Sequence, residues 1–419
     1  MIVPLSLLLA QTVPFLNVEV FPNEGGFSPC EPSVAVSRKN PNVVVAGCII
    51  DKAAVSTDGG KTWVQSKLKS PWGVYGDPAI VSDSLGNFYY LHLANPGPAD
   101  RWLECIVCQR MPFRGTALGN PTAIGPNAPK NQDKAWPATH PSKPEIAVAW
   151  TQFDKYADKS PDKRSNILFS RSKDQGATWT TPVQINEFSG DCLDSDNTPE
   201  GAVPAISPDG TISVVWAFDG KIFLDQSTDD GKTWRARDQV IASQKGGWDI
   251  MVSGIGRCNG MPILQVDQSA GKHSGNLYVM YSEETAEADS DIFLIRSTDG
   301  GKTWSKPLRV NKDSAGSQQF FPWLAVDQAN GNLYAVYYDR RGCTGNDTNV
   351  TVAWSTDGGQ TFKERRVNRS VIDMSPKGFF GDYNNISAYD GRIVPIWTGV
   401  QDGKTSVWVA PLTLAELEK

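Results

Sequence analysis

The chain has 419 residues, a net charge of −6 and 21% charged residues, and its Lys and Arg residues form no long run. This balance argues against a nucleic-acid partner, since nucleic-acid-binding surfaces are typically basic. The 14 Trp, 11 Tyr and 16 Phe stand beside 38 Gly and 28 Pro. Such a composition favours an all-β protein with many turns.

The first ten residues, MIVPLSLLLA, form a short apolar run. The run has the character of a secretion signal without the usual cationic start, and it is too short to span a bilayer. We expect residues 1–12 to be a leader and the protein to be secreted, periplasmic or at the cell surface; a trimmed leader is the alternative. Seven cysteines, an odd number, do not decide the compartment or the disulfide pairing.

After a strand-like segment at Leu16–Val20, one pattern recurs seven times: an apolar strand, a turn, and a second strand rich in Val and aromatics. The fourth copy, for example, reads AVPAISPDGTISVVWAF. The seven copies begin at Pro32, Asp77, Ala135, Ala202, Met261, Phe320 and Tyr383. A repeat of this length is typical of propellers and other repeat architectures.

A second motif follows most of these strand pairs. The string STDGGKTW begins at Ser56 and at Ser297, and variants begin at Ser172, Ser227 and Ser355. Its Gly residues allow the positive φ of a tight hairpin, and its Ser and Asp can hydrogen-bond the turn backbone. We therefore interpret the repeated Asp as a structural residue. The unit that begins at Asp77 has lost its copy of the motif.

Each unit reads as four strands, so the sequence predicts one all-β domain over residues 13–419, a β-propeller of about seven blades, with six as the alternative. The last unit lacks a fourth strand of its own. We expect Leu16–Val20 to supply it and close the ring.

The repeated motif resembles the Asp box of BNR-repeat, sialidase-like propellers of the bacterial secreted type. QFFPWLAVD from Gln319, YYDRRG from Tyr337 and FFGDYN from Phe379 strengthen the resemblance, which covers nearly the whole chain. It implies an active site around the axis, on the face where residues precede the first strand or follow the second strand of each unit. It also implies a sialidase-like glycoside hydrolase that removes a terminal, acidic sugar from extracellular glycans.

The resemblance implies a role for several residues. Tyr383 matches the nucleophile, Glu200 the carboxylate that activates it, and Asp77 the acid/base. Arg257, with Arg340 or Arg341, matches the guanidinium groups that bind the sugar's carboxylate. Further substrate-binding candidates on the same face are Lys134, Asp339, Asp382 and His92.

The sequence departs from that family in two respects, because it lacks an Arg-Ile-Pro-like motif in the first unit and has seven units where sialidases usually have six. Two alternatives therefore stay open: a propeller that binds a glycan or protein without catalysis, and a lyase that cleaves uronate-containing polysaccharides through His92. No cofactor, catalytic metal or membrane span is expected, although a structural calcium ion near Asp339 or Asp382 stays open. The sugar, its linkage and the oligomeric state are not defined by the sequence.

Overall fold

The computed structural model describes residues 15–286, 289–314 and 316–419. The expected leader at residues 1–12 lies outside the described residues. The described chain is all-β apart from a 3-10 turn at Ala99–Arg101 and one short helix at Leu414–Leu417. Its strands form seven antiparallel sheets, one per predicted unit, so the propeller has seven blades and not six.

The strands of each blade are named A to D in hydrogen-bonded order. Blade 1 has Ser33–Val36, Val44–Cys48, Lys52–Ser56 and Val64–Lys67. Blade 2 has Ala79–Ser82, Phe88–Leu93, Ile106–Met111 and Gly119–Ile124. Blade 3 has Asn131–Thr139, Ile146–Phe153, Ser165–Ser172 and Val183–Gln184. Blade 4 has Glu200–Ile206, Ile212–Phe218, Lys221–Ser227 and Gln239–Ser243.

Blade 5 has Ile263–Val266, Leu277–Ala286, Asp289–Ser297 and Leu308–Arg309. Blade 6 has Gln319–Val326, Leu333–Asp339, Asp347–Ser355 and Lys363–Arg366, and a short strand at Ile372–Asp373 pairs with its strand C. Blade 7 has Asn385–Tyr389, Arg392–Gln401 and Lys404–Val409, and Leu412–Thr413 pairs with its strand B.

The fourth strand of blade 7 comes from the N-terminal segment. Val18–Phe21 pairs antiparallel with Lys404–Val409, with Val18 opposite Val409 and Glu19 opposite Trp408. This confirms that the segment after Leu16 closes the ring.

The core lies between neighbouring blades, where large side chains of strand B pack against the next sheet. Fully or almost fully buried residues of this kind are Tyr90, Trp150, Trp216, Tyr281, Tyr338 and Trp397. Strand D of blade 1, Val64–Lys67, is exposed along its length, which places it at the outer rim. The repeated alternation of apolar strands and polar outer strands thus matches the radial packing of the blades.

Each Asp box forms the hairpin between strands C and D. In the first, the Ser56 hydroxyl donates to Asp58 Oδ1 over 2.8 Å, and the Thr62 hydroxyl donates to Asp58 Oδ2 over 2.7 Å. Burial alone would raise the pKa of Asp58, but these hydrogen bonds and those from the Thr62 and Lys61 amides lower it to about 2. The carboxylate is used within its own turn.

In the described part of the chain, no helix has the length and apolar character needed to cross a membrane.

Candidate functional site

The site begins with the backbone that leads into strand A. At equivalent positions of five blades the residue has positive φ: 51° at Glu31, 49° at Asp77, 47° at Lys134, 67° at Gly201 and 49° at Phe321. Irregular strand pairing accompanies this conformation in blades 3, 4 and 6. For a residue other than Gly the left-handed conformation costs roughly 1–2 kcal/mol. At Glu31, Asp77 and Lys134 this conformation coincides with polar side chains that lie close together around the axis, as their contacts below show. Blade 7 places Tyr383 at the equivalent position.

Lys134 is the central cation of this face. Its ammonium lies 3.4 Å from Asp133 Oδ2, 3.7 Å from Asp194 Oδ2 and 3.6 Å from Asp382 Oδ2, and its side chain is only 4% exposed. Burial alone would lower the pKa of Lys134, but the three carboxylates raise it well above its usual value. The ion contact with Asp382 joins blade 3 to blade 7 across the axis.

Arg257 supplies the second positive charge. Its Nε donates to Asp382 Oδ1 over 2.7 Å, its Nη2 donates to the other oxygen of the same carboxylate, and its Nη1 lies 3.2 Å from Asp194 Oδ2. Tyr156 and Trp248 also donate to Asp194, over 2.7 and 3.2 Å. Although burial would raise the pKa of Asp194, Lys134 and Arg257 lower it. Both cations of the site are thus paired with carboxylates.

Three further carboxyl groups adjoin these ion pairs, and the pKa of each is raised well above its usual value. Burial is the main cause in every case. The next cause is the charge of a neighbouring carboxylate: Asp77 raises the pKa of Glu31, Asp133 that of Asp77, and Asp194 that of Glu200. Like charges in a desolvated site favour the protonated form. We call the whole set the axial cluster: Glu31, Asp77, Asp133, Lys134, Asp194, Glu200, Arg257 and Asp382.

Tyr383 adjoins the axial cluster. Its ring packs edge-on against Trp136, with ring centroids 5.0 Å apart, and also lies near Trp323. Among the described residues, its buried hydroxyl has no hydrogen-bond partner. Burial raises the pKa of Tyr383, and the nearby charge of Glu31 raises it further.

Glu200, predicted to activate Tyr383, accepts instead from the Thr151 hydroxyl over 3.3 Å. Its other oxygen, Oε1, is buried and has no hydrogen-bond partner among the described residues. The carboxyl groups whose charges act most on Tyr383 are Glu31 and then Asp77.

Beside Arg257 a pocket of about 540 Å³ opens to solvent, and its lining consists of Gly256, Arg257, Gly378, Phe379, Phe380 and Gly381. The guanidinium of Arg257 lies 5.1 Å from the ring centroid of Phe379, and that phenyl group is 44% exposed. The Arg257–Phe379 pocket therefore offers one aromatic face and one half-exposed cation, next to the axial cluster.

The two arginines after strand B of blade 6 lie in other contacts. Arg340 donates to Gln318 Oε1 and to the Ser253 carbonyl, over 3.0 and 2.6 Å. Arg341 pairs with Asp339 and Glu364. Asp339 also accepts from the Thr351 hydroxyl over 2.7 Å. These side chains hold loops and neighbouring strands, and the structure does not bring the two arginines onto the Arg257–Phe379 pocket.

His92 is buried in strand B of blade 2. Its Nδ1 lies 2.9 Å from the Leu93 carbonyl and its Nε2 lies 3.0 Å from the Gln109 side chain. Burial lowers the pKa of His92 to about 4, although the hydrogen bond to Leu93 opposes this. The imidazole is held neutral within its own blade.

Within the described ranges no group of three His, Cys, Asp or Glu side chains is arranged to hold a metal ion. Asp339 and Asp382, near which a calcium ion was left open, are both paired with arginines. All seven cysteines are free thiols, and six of them are buried.

Sequence reasoning placed Asp77, Lys134, Glu200, Arg257, Asp382 and Tyr383 on one face, and the structure brings them together. It missed Asp194, Tyr156 and Trp248. Asp194 and Trp248 lie in the connections from strand D to the next strand A, and these do not follow the repeat. The only signal for Asp194 was the acidic string DCLDSD shortly before Glu200.

Comparison with known proteins agrees with this architecture. Residues 211–364 match the family model of the BNR repeat-like domain. A sialidase of Bacteroides fragilis (strain YCH46) is 26% identical over 164 residues, which cover 35% of this chain and 29% of the relative. The chain thus matches less than a third of that relative's length.

Two solved structures match nearly the whole chain. One is a protein of unknown function from Dyadobacter fermentans, with a TM-score of 0.51, 13% identity and coverage of 95% of this chain and 97% of that one. The other is an ulvan lyase, with a TM-score of 0.53, 12% identity and coverage of 96% and 99%. At such identities the likeness concerns the fold alone.

Proposed function

We propose that this Asp-box propeller of sialidase-like fold is a glycoside hydrolase. A terminal sugar of a glycan outside the cytoplasm binds in the Arg257–Phe379 pocket, and the axial cluster supplies the acid–base chemistry. One observation carries the proposal: the open pocket with an aromatic face shares Arg257 with the axial cluster, in which carboxyl groups favour their protonated form. Such a combination supports sugar binding and proton transfer at one place.

Cleavage of a glycosidic bond needs an acid that protonates the leaving oxygen and a second group that attacks or activates. Asp77 is proposed as the acid, because burial and Asp133 raise its pKa while it keeps partial contact with solvent. Tyr383 is proposed as the nucleophile. Its oxygen bonds to the anomeric carbon as the glycosidic C–O bond breaks, Asp77 gives its proton to the leaving oxygen, and the phenol proton passes to the ionised form of Glu31, which replaces Glu200 in this role. Water then attacks the anomeric carbon and displaces Tyr383, giving a proton back to Asp77 while Glu31 returns its proton to the phenolate.

The charge of the pocket affects whether an acidic or a neutral sugar binds there. The resemblance predicts an acidic sugar held by several guanidinium groups. The pocket, however, is lined by the guanidinium of Arg257, and Asp194 and Asp382 already balance its charge. An anionic substituent therefore gains little here. We propose that the sugar is recognised mainly by stacking on Phe379 and by the remaining N–H groups of Arg257, and that it need not be acidic.

A second function, glycan binding without catalysis, is favoured by the burial of Tyr383, which is 4% exposed. A sugar in the pocket meets Arg257 and Phe379 first. The lyase alternative has less support, since both ring nitrogens of His92 are engaged within blade 2.

The test is turnover of a panel of 4-methylumbelliferyl glycosides, acidic and neutral, by the purified protein. We expect release of the fluorophore, a loss of about 10²–10⁴-fold in Asp77→Asn, and loss of turnover in Tyr383→Phe. Tyr281→Phe is the matched control, because it also removes a buried hydroxyl without a hydrogen-bond partner among the described residues. It should keep full activity.

Absence of turnover with every glycoside, together with glycan-array binding that Tyr383→Phe retains and Phe379→Ala loses, would replace the hydrolase with the binding propeller. Turnover that survives in Tyr383→Phe would reject Tyr383 as the nucleophile. The role of Asp77 as the acid would then be tested by Asp77→Asn alone.

A further inference from the structure

The axis holds a second polar feature beyond the axial cluster. A cavity of about 160 Å³ is lined by strand A residues of all seven blades, among them Val36, Ser82, Ala138, Ile206, Val266, Ala325 and Ser387. Most of these residues lie at or near the C-terminal ends of their strands, whereas the residues of the axial cluster precede the strands or lie in their first half. The cavity therefore reaches toward the face that carries the Asp boxes.

Arg38 lines this cavity from the turn between strands A and B of blade 1. Its Nη1 donates to Gln268 Oε1 over 2.8 Å and to the Thr139 hydroxyl over 3.4 Å. Arg38 therefore reaches from blade 1 to side chains of blades 3 and 5. Both partners are neutral.

The other edge of the guanidinium lacks acceptors. Among the described residues, Arg38 Nε is buried without a hydrogen-bond partner, Nη2 has no acceptor, and no carboxylate lies within ion-pair distance. The nearby Asp83 accepts instead from Asn87 and from the Tyr89 hydroxyl. Burial lowers the pKa of Arg38, yet a guanidinium stays protonated in proteins. Within the described part of the chain, a positive charge without a counter-ion thus borders the cavity.

The contacts of Gln268 hold this arrangement in place. Its Nε2 donates to the Thr139 and Ile206 carbonyls, over 3.1 and 2.7 Å, and its backbone N–H donates to Gln328 Oε1 over 2.7 Å. With its amide group so oriented, Gln268 Oε1 faces Arg38 and anchors Nη1. The Nε and Nη2 edge of the guanidinium therefore has no acceptor among the described residues. Carboxylates bind arginine at such an edge in bidentate fashion.

We propose that the axial cavity binds a small monovalent anion, a short carboxylate or a halide, on the Nε and Nη2 edge of Arg38. The anion neutralises the guanidinium, whose Nη1 links blade 1 to blades 3 and 5 through Thr139 and Gln268. The site is separate from the Arg257–Phe379 pocket and does not depend on the proposed hydrolase activity.

Two measurements on the full chain test the site. Crystals grown in sodium bromide should show an anomalous peak within hydrogen-bonding distance of Arg38. The melting temperature should rise by roughly 3 °C at a formate or bromide concentration 100 times Kd. Ionic strength is kept constant with the HEPES anion, which is too bulky for the cavity.

Arg38→Met should abolish the rise, and Arg114→Met, at an exposed arginine, should keep it. Arg38→Lys keeps the charge without the bidentate edge and should weaken the formate effect more than the bromide effect. An ordered water in place of the peak would overturn the proposal. So would a peak without any effect of anions on the wild-type melting temperature, which would mean an adventitious ion only. Both wild-type measurements decide the matter even if Arg38→Met does not fold.

Discussion

Replacing Lys134 by Met tests the charge balance of the axial cluster. The substitution keeps most of the side-chain volume but removes the ammonium group from between Asp133, Asp194 and Asp382. The ammonium lies 3.4–3.7 Å from these carboxylates and is almost fully buried, so solvent does not screen the loss. Breaking such a buried pair costs about 3–5 kcal/mol. For a chain of this length that corresponds to a fall in melting temperature of about 3–6 °C.

The loss should depend on pH. Lys134 has a pKa raised above its unfolded value, so in the wild type its contribution is fully present at pH 5–8 and is lost only at higher pH. In the variant, the pKa values of Asp77 and Glu200 rise further, because Lys134 now lowers both. When the pKa of a carboxyl group is higher in the folded than in the unfolded protein, the folded protein loses stability as pH rises above the unfolded pKa. The deficit of the variant should therefore be larger at pH 8 than at pH 5.

Urea unfolding of Lys134→Met and wild type at pH 5, 6.5 and 8 measures this difference. Lys155→Met is the matched control, because Lys155 pairs with Asp158 over 2.9 Å on the surface and its side chain is 68% exposed. We expect no measurable change for the control. Equal stability losses in the two variants, or a deficit of Lys134→Met that does not change with pH, would refute the reasoning.

Three other predictions follow from single groups. Tyr383→Phe should leave the free energy of unfolding unchanged or raise it by up to about 1 kcal/mol, because the Tyr383 hydroxyl has no hydrogen-bond partner among the described residues. A clear fall in the free energy of unfolding measured with urea would contradict this. Asp58 has a folded pKa of about 2 against an ordinary value of 3.8, so its stabilising effect is present above pH 4 and is lost as pH falls through 2. Acid unfolding of Asp58→Asn should therefore converge with wild type at the lowest pH, and curves that stay apart there would contradict this. His92 has a pKa of about 4 in the folded protein, so NMR at pH 6 should show a neutral imidazole. The stability that His92 contributes at neutral pH should be lost as pH falls from 6.5 through 4. A protonated ring at pH 6 would contradict its burial.

The blade count and the ring closure were predictable because they rest on local patterns. Each Asp box binds its own turn through residues four positions apart, such as Ser56 and Gly60, so the motif is complete within one short string. Strand A and strand B adjoin in sequence as they do in space. The closing strand needed one further step: blade 7 had three strands, and the alternating segment at Leu16–Val20 had no partner.

The site was predictable as a set of residue types but not as a set of contacts. Asp77, Lys134 and Tyr383 lie near the starts of their blades, as the repeat predicts, although strand A of blade 3 already begins at Asn131 and includes Lys134. The partners of Arg257 were not predictable, because Asp194 and Asp382 reach it from connections of unequal length between blades. Whether a guanidinium faces a substrate or a neighbouring carboxylate depends on those loops, and their sequences do not follow the repeat.

The closing strand also has a consequence for how the protein acquires its fold. Val18 pairs with Val409, so the last ring contact joins residues separated by almost the entire chain. Contacts of such long range form slowly, because the entropy of loop closure must be lost before the pairing is gained. Until Val18–Phe21 pairs with Lys404–Val409, a partly folded propeller carries one unpaired strand edge on each side of the gap. Such edges can pair with other chains, so the protein is most exposed to aggregation in this interval.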